Sequence, residues 1–343
     1  MRKKLLLLGL LVLLSGHDMY LKLDSYFLPP ATPVELHLYN GTFNKSENVI
    51  TTDRMLDVSL AGQGRRVAVE TSQWSDRDSI TVLNFTTGDA GTWVAGVSTA
   101  PRNIEMSAGD FNNYLEHDGV LDMLEWRREN NAMDEPAVEK YSKHVKAIFQ
   151  VGDKTSEDWA TVLGYPIEFV PLENPYDLHP GHTLGVKLLL GGQPLANQLV
   201  YVGFEGNGAD AQGHTHEEGQ DHDHDHDSEA DHSHTGGTQV RTNEEGIAQV
   251  FLPAKGTWYL RTIHLVASEV PGLTHESNWA TLTFGVGEGH AHTHTTGVEA
   301  ESGNDPAASG DNGIQDTTPA YWYGLGGVLI LAVLYFIFRR KKG

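Results

Sequence analysis

Apolar and polar residues alternate with a period of two along much of this chain, and the element that pattern predicts is the β-strand. His17, Met19, Leu21 and Leu23 fall on one side of the first run and Asp18, Tyr20, Lys22 and Asp24 on the other, which predicts a half-buried strand. A second run follows Pro29, Pro30 and Pro33, with Val34, Leu36 and Leu38 alternating against Glu35, His37 and Tyr39. Further runs at about 53–60, 65–71, 79–85 and 92–98 are separated by turn signals such as Gly62-Gln63-Gly64 and Gly88-Asp89. Together they predict an N-terminal β-sandwich over 17–108.

Between about 109 and 164 the period changes. Phe111, Tyr114 and Leu115, then Val120, Leu121, Leu124 and Trp126, then Val138, Tyr141, Val145 and Ile148 recur at spacings near three and four. This predicts a helical connector, with Asp110 as an N-cap and Pro136 in a first helical turn. Strand patterns return at 166–171, 183–190, 198–205, 238–243, 247–252, 257–267 and 278–285, predicting a second sandwich over 165–286 that carries a polar loop at 206–237. Residues 287–320 are rich in Gly, Ser, Asp and Thr and read as a flexible stalk. The expected fold class is mainly β, with two β-sandwich domains, a helical insert and one C-terminal transmembrane helix.

The two ends supply the location. Arg2-Lys3-Lys4, the apolar run Leu5 to Leu14 and Ser15-Gly16 have the order of a secretory signal peptide, so cleavage after Gly16 is expected to make His17 the mature N-terminus. Residues 321–338 carry no charge, and at ~1.5 Å per residue they nearly match a ~30 Å hydrocarbon layer. Tyr321, Trp322 and Tyr323 form an aromatic belt, and Arg339, Arg340, Lys341 and Lys342 make 339–343 a basic cytoplasmic tail. The expected location is the cytoplasmic (inner) membrane, spanned once, with the ectodomain in the periplasm or at the cell exterior.

Charge and composition narrow the chemistry. Lys and Arg number 24 against 46 Asp and Glu, a formal net charge of -22, which opposes attraction to nucleic-acid phosphates. The chain has no cysteine, so any metal must be held by nitrogen and oxygen. Residues 213–234 hold seven histidines (His214, His216, His222, His224, His226, His232 and His234) and eight acids in 22 positions, with no Lys or Arg. Closely repeated imidazoles interleaved with carboxylates suit Ni²⁺, Co²⁺, Zn²⁺ or Cu²⁺ rather than a merely solvated acidic run. A shorter cluster, His290, His292 and His294, lies in the stalk, where a polar linker is an equal reading.

A sharper expectation concerns His17. Freed by cleavage, its α-amino nitrogen and Nδ1 would chelate one cation, against the plainer reading of an exposed terminal residue. His264 shares strand parity with Trp258 and Leu260, which points it inward as a candidate further ligand or as a hydrogen-bonded core residue. His117, His144, His179, His182 and His275 have no spacing that favours ligation. No Gly-Xaa-Ser-Xaa-Gly, phosphate-binding loop or His-Glu-Xaa-Xaa-His occurs, so no enzyme activity is expected.

Several segments carry a family resemblance over about 17–285. They are His17-Asp18-Met19-Tyr20-Leu21, Glu139-Lys140-Tyr141-Ser142-Lys143 with Gln150-Val151-Gly152, Tyr165-Pro166-Ile167-Glu168-Phe169-Val170-Pro171-Leu172, Gly191-Gly192-Gln193-Pro194 and Gly256-Thr257-Trp258-Tyr259-Leu260. In these the chain resembles a bacterial family of exported proteins described as periplasmic components of cobalt and nickel uptake systems. The resemblance implies metal acquisition outside the cytoplasmic membrane, a preference for nickel or cobalt, and a match of His17 to the family's exposed terminal histidine. The second sandwich is also similar to the carboxypeptidase-regulatory type of β domain, a scaffold rather than an enzyme.

The function expected from the sequence is therefore capture of divalent transition metal, nickel or cobalt favoured and zinc or copper open, for supply to a membrane metal transporter, a permease complex. Three alternatives compete: a copper or zinc buffering or resistance protein, a copper oxidase built on a terminal histidine brace, and a purely structural surface sandwich.

Overall fold

In a computed structural model, residues 17–205 and 237–287 are described. The first half of these residues forms β1 (Asp18–Lys22), β2 (Phe27–Leu28), β3 (Pro33–Gly41), β4 (Met55–Gly62), β5 (Arg65–Ala68), β6 (Trp74–Arg77), β7 (Ile80–Thr86), β8 (Gly91–Thr99) and β9 (Arg102–Met106). Two helices follow, α1 (Ala108–His117) and α2 (Leu121–Glu129). The second half adds β10 (Ala137–Val151), β11 (Ile167–Pro171), β12 (His182–Leu190), β13 (Gln193–Pro194), β14 (Leu199–Glu205), β15 (Thr238–Arg241), β16 (Ile247–Leu252), β17 (Gly256–Ala267) and β18 (His275–Val286). The protein is mainly β with few helices, as the alternation predicts.

The strands form three sheets. One runs β1-β3-β7-β6, and another joins β11, β12, β13 and β16. The third has ten strands in the order β15-β14-β17-β18-β10-β8-β4-β5, with β2 and β9 also paired to β10. This large sheet takes strands from both expected sandwiches, and the main apolar cluster runs from Met19 to Val286. Its centre, β10 on β18, is a parallel pair flanked by antiparallel ones.

That centre corrects one expectation. Val138, Tyr141, Val145 and Ile148 do not lie on a helix; they belong to the 15-residue strand β10, and Pro136 precedes that strand. From Ser142 to Val151 every position is buried, on both faces of the sheet. A strand covered on both sides loses the period-two signature, and its apolar residues can fall by chance at helical spacing. The expected helix cap also shifts by one turn: Ser107 caps α1, its hydroxyl accepting from the Asp110 amide at 3.2 Å.

β1 is likewise more deeply placed than a half-buried strand. Asp18 and Tyr20, on its polar side, are as buried as Met19 and Leu21. The strand pairs with β3 along its edge, while the Thr281 and Thr283 hydroxyls of β18 donate to the Met19 and Leu21 carbonyls. Between the helices the chain reverses at Gly119 (φ +70), where a Cβ would strike the Tyr201 ring; this turn sets the Asp118 carbonyl against Arg261.

Candidate functional site

The mature start expected from the sequence lies at a cavity. His17, which opens the described residues, precedes β1 and lines a cavity of about 440 Å³. Its Nε2 faces Glu47 Oε2 at 3.0 Å, and its carbonyl accepts a hydrogen bond from the Lys143 ammonium. Lys143 also donates to Asn40 Oδ1 at 3.1 Å and lies 4.9 Å from the centre of the Trp279 ring. Burial pushes its ammonium down to about 8, against the pull of the Asp18 and Asp118 carboxylates, so it still carries a proton at neutral pH.

Behind this wall is a buried charged layer. Asp18 Oδ1 accepts from Arg261 at 3.2 Å, Asp18 Oδ2 accepts from the Tyr20 hydroxyl, and the Arg261 guanidinium stacks over Tyr201. Asp118 sits close by, its carboxyl pushed well above the ordinary range by burial and by the negative charge of Asp18. Glu139 on β10 is pushed up to about 7 by burial, although the Ser277 and Tyr114 hydroxyls both donate to it. Arg54, at the end of the short turn before β4, completes the wall; it is 7% exposed, and its Nε has no hydrogen-bond partner.

His264 stands apart. It lines a different cavity of about 170 Å³, and its Nδ1 meets Gln198 Oε1 at 3.0 Å. Arg261, which reaches Asp18, has the opposite strand parity from His264, so the two side chains leave opposite faces of β17. His17 and His264 are thus placed in separate cavities, and among the described residues no group of three or more His, Asp or Glu could hold a metal ion. The seven tract histidines, His290, His292, His294, the expected signal peptide at 1–16 and the expected span 321–338 lie outside the described residues. Among the described residues no helix is long and apolar enough to cross a membrane.

His144 is buried on β10, with the Ser98 hydroxyl 2.9 Å from Nδ1 and the Ser142 hydroxyl 3.0 Å from Nε2. Burial pushes it down to about 4, so it is neutral in the fold. An unfolded histidine takes up its proton near ~6.5, so stability falls as pH drops from there toward about 4 and then levels off. His144→Gln should remove up to about 3 kcal/mol of that acid loss. Urea unfolding across this range tests it, and a variant with the parental slope contradicts it. Glu139 titrates with the opposite sign, and the comparison with the variant cancels its share.

Lys143, Arg54 and Glu139 are the residues that sequence reasoning missed. Each of the three has at least one polar or charged neighbour in the chain, so local pattern gives no signal for them; only Lys146, between Val145 and Ala147 on the same strand, stands out as a charge among apolar residues.

A family model described as a domain of unknown function, DUF4198, matches residues 14–266. The chain belongs to that family. The match opens just before β1 and closes inside β17, so the family domain includes His17, Arg54, Glu139 and Lys143, while β18 with Trp279 lies beyond it. No curated protein matches the chain. Similar solved structures include the D0-D1 domain of intimin, at 10% identity over 78% of this chain and 97% of that one, with a TM-score of 0.17. Trypsin-activated alpha-2-macroglobulin from Escherichia coli is 11% identical over 78% of this chain and 15% of that one, with a TM-score of 0.18. The Escherichia coli adhesin FdeC is 13% identical over 80% and 64%, also at 0.18. Likeness at this level carries no inference about the DUF4198 chain.

Proposed function

We propose that this protein captures divalent transition metal outside the cytoplasmic membrane and supplies it to a membrane uptake transporter, with nickel or cobalt as the favoured ions. The observation that carries the reading is the tract at 213–234, where seven histidines and eight acids stand within 22 residues. Imidazoles supply neutral nitrogen ligands, and the surrounding carboxylates draw dications from dilute solution. The tract is inserted between β14 and β15, which pair at the edge of the ten-stranded sheet, so the insertion interrupts no interior strand. The preference for nickel or cobalt rests on the family resemblance alone. The signal peptide and the apolar segment 321–338 support tethering beside a transporter, which raises the effective concentration of the donor.

The test is metal uptake by cells lacking the protein. Slower accumulation of nickel or cobalt when either is scarce is the expected result. Unchanged uptake with sensitivity to excess copper would replace transport supply with copper buffering. Failure of the purified chain to bind any first-row dication at neutral pH would end the metal reading itself.

A further inference from the structure

The lining of the cavity beside His17 holds two buried cations and one carboxylate. Arg54 and Lys143 are 7% and 6% exposed, and both line it. Their hydrogen-bond partners are neutral oxygens. Arg54 reaches only the Tyr141 hydroxyl, at 3.5 Å, and Lys143 reaches the His17 carbonyl and Asn40 Oδ1. Neither forms an ion pair with a described carboxylate. Glu139 is the acid on the described lining, and its Oε1 is already occupied by the Ser277 and Tyr114 hydroxyls. Lys143 also feels the Asp18 and Asp118 carboxylates behind the wall, so the cation left without an acid beside it is Arg54, whose Nε has no hydrogen-bond partner; a buried guanidinium in that state is costly unless an anion answers it.

The rest of the wall defines the anion. The Arg54 guanidinium lies 5.5 Å from the Tyr141 ring centre, and the Lys143 ammonium lies near both Tyr141 and Trp279. Tyr114 stacks behind Trp279 at an interplanar angle of 9°. Ile104 and Met106 add apolar surface, while exposed Asn48 and Arg102 mark the mouth. A volume of about 440 Å³ suits a small molecule. A planar guanidinium fork matches a carboxylate in two-point geometry, and aromatic and aliphatic walls favour a ring over a hydrated phosphate.

We propose that this cavity binds a small aromatic carboxylate, with its carboxyl group against Arg54 and Lys143 and its ring against Tyr141 and Trp279. The proposed contacts use no residue of the histidine tract and require no metal.

Calorimetry of the purified full chain in metal-free buffer tests it, with benzoate, phenylacetate, benzamide and inorganic phosphate as probes. Saturable binding of benzoate or phenylacetate is expected, with benzamide about tenfold or more weaker, as for loss of one charge-assisted contact. Arg54→Gln should weaken benzoate by a similar factor, and Arg54→Lys, which keeps the charge without the fork, should fall between. Thermal melting confirms that each variant is folded. If a variant does not fold, the benzoate and benzamide comparison on the parent decides. Equal affinity for benzoate and benzamide, no saturable binding of either carboxylate, or undiminished binding by folded Arg54→Gln overturns the proposal. Phosphate binding as tightly as benzoate overturns the carboxylate assignment. Because no metal is present, each outcome is independent of metal capture.

Discussion

Glu168→Gln is expected to destabilise the fold by about 3–5 kcal/mol, the range for removing one partner of a buried ion pair. Lys146 on β10 and Glu168 on β11 meet at 3.1 Å, and their side chains are 1% and 2% exposed. The ammonium also donates to the Thr161 and Phe169 carbonyls, so its three hydrogens all have acceptors. The carboxylate accepts from the backbone amides of Leu163, Gly164 and Tyr165 as well. It therefore pins the segment entering β11, from which the Tyr165 hydroxyl reaches Asp57 on β4 at 2.6 Å. An amide in place of the carboxylate leaves Lys146 charged in the core and turns one acceptor oxygen into a donor facing backbone N–H groups. Lys146→Met should cost less, because the carboxylate keeps its three amide donors. Adding Lys146→Met to Glu168→Gln should recover part of the loss, since the stranded charge goes with the ammonium. Urea unfolding of the three variants measures this order. A Glu168→Gln protein as stable as the parent would show that the pair does not govern the β10–β11 junction.

The same pair shows what the sequence leaves unread. Strands with one wet face, such as β3 with Leu36 and Leu38 turned inward, are legible from alternation, and the turn residues around them fix their ends to within a few positions. β10 is not legible, because both its faces are covered and it holds Lys143 and Lys146, charges that ordinarily mark a solvent side. β1 misleads for the same reason, since Asp18 and Tyr20 look exposed until Arg261, 243 residues later, is brought against them. The cavity wall is assembled in the same way. Arg54 meets Tyr141 across 87 residues, and Lys143 meets Asn40 across 103, through sheet register that no local pattern encodes. His264 was legible in part: parity turns it away from bulk solvent, but its partner is Gln198, which strand spacing alone did not single out. The histidine tract is the reverse case, open to composition alone because the metal binding proposed for it needs density of ligands rather than a fold.

Deleting 213–234 is accordingly expected to remove most of the metal capacity while leaving the fold intact. Seven imidazoles, at two or three per ion with carboxylates completing the shell, provide for roughly two or three ions per chain. Equilibrium dialysis against Ni²⁺ or Co²⁺ should therefore show a loss of about two ions or more, alongside an unchanged melting temperature. Stability is spared because β14 and β15 pair from Leu199↔Arg241 to Val202↔Thr238 below the insertion, and nine residues would still join Glu205 to Gly237. That is a sufficient length for a hairpin connection. Protons compete with metal for imidazole nitrogen, so the bound ions of the parent should also be released as pH falls from about 7 to about 5. Retention of the full complement of ions after the deletion would move metal binding from the tract to another part of the chain. A large drop in melting temperature without added metal would show instead that the tract takes part in the packed β structure.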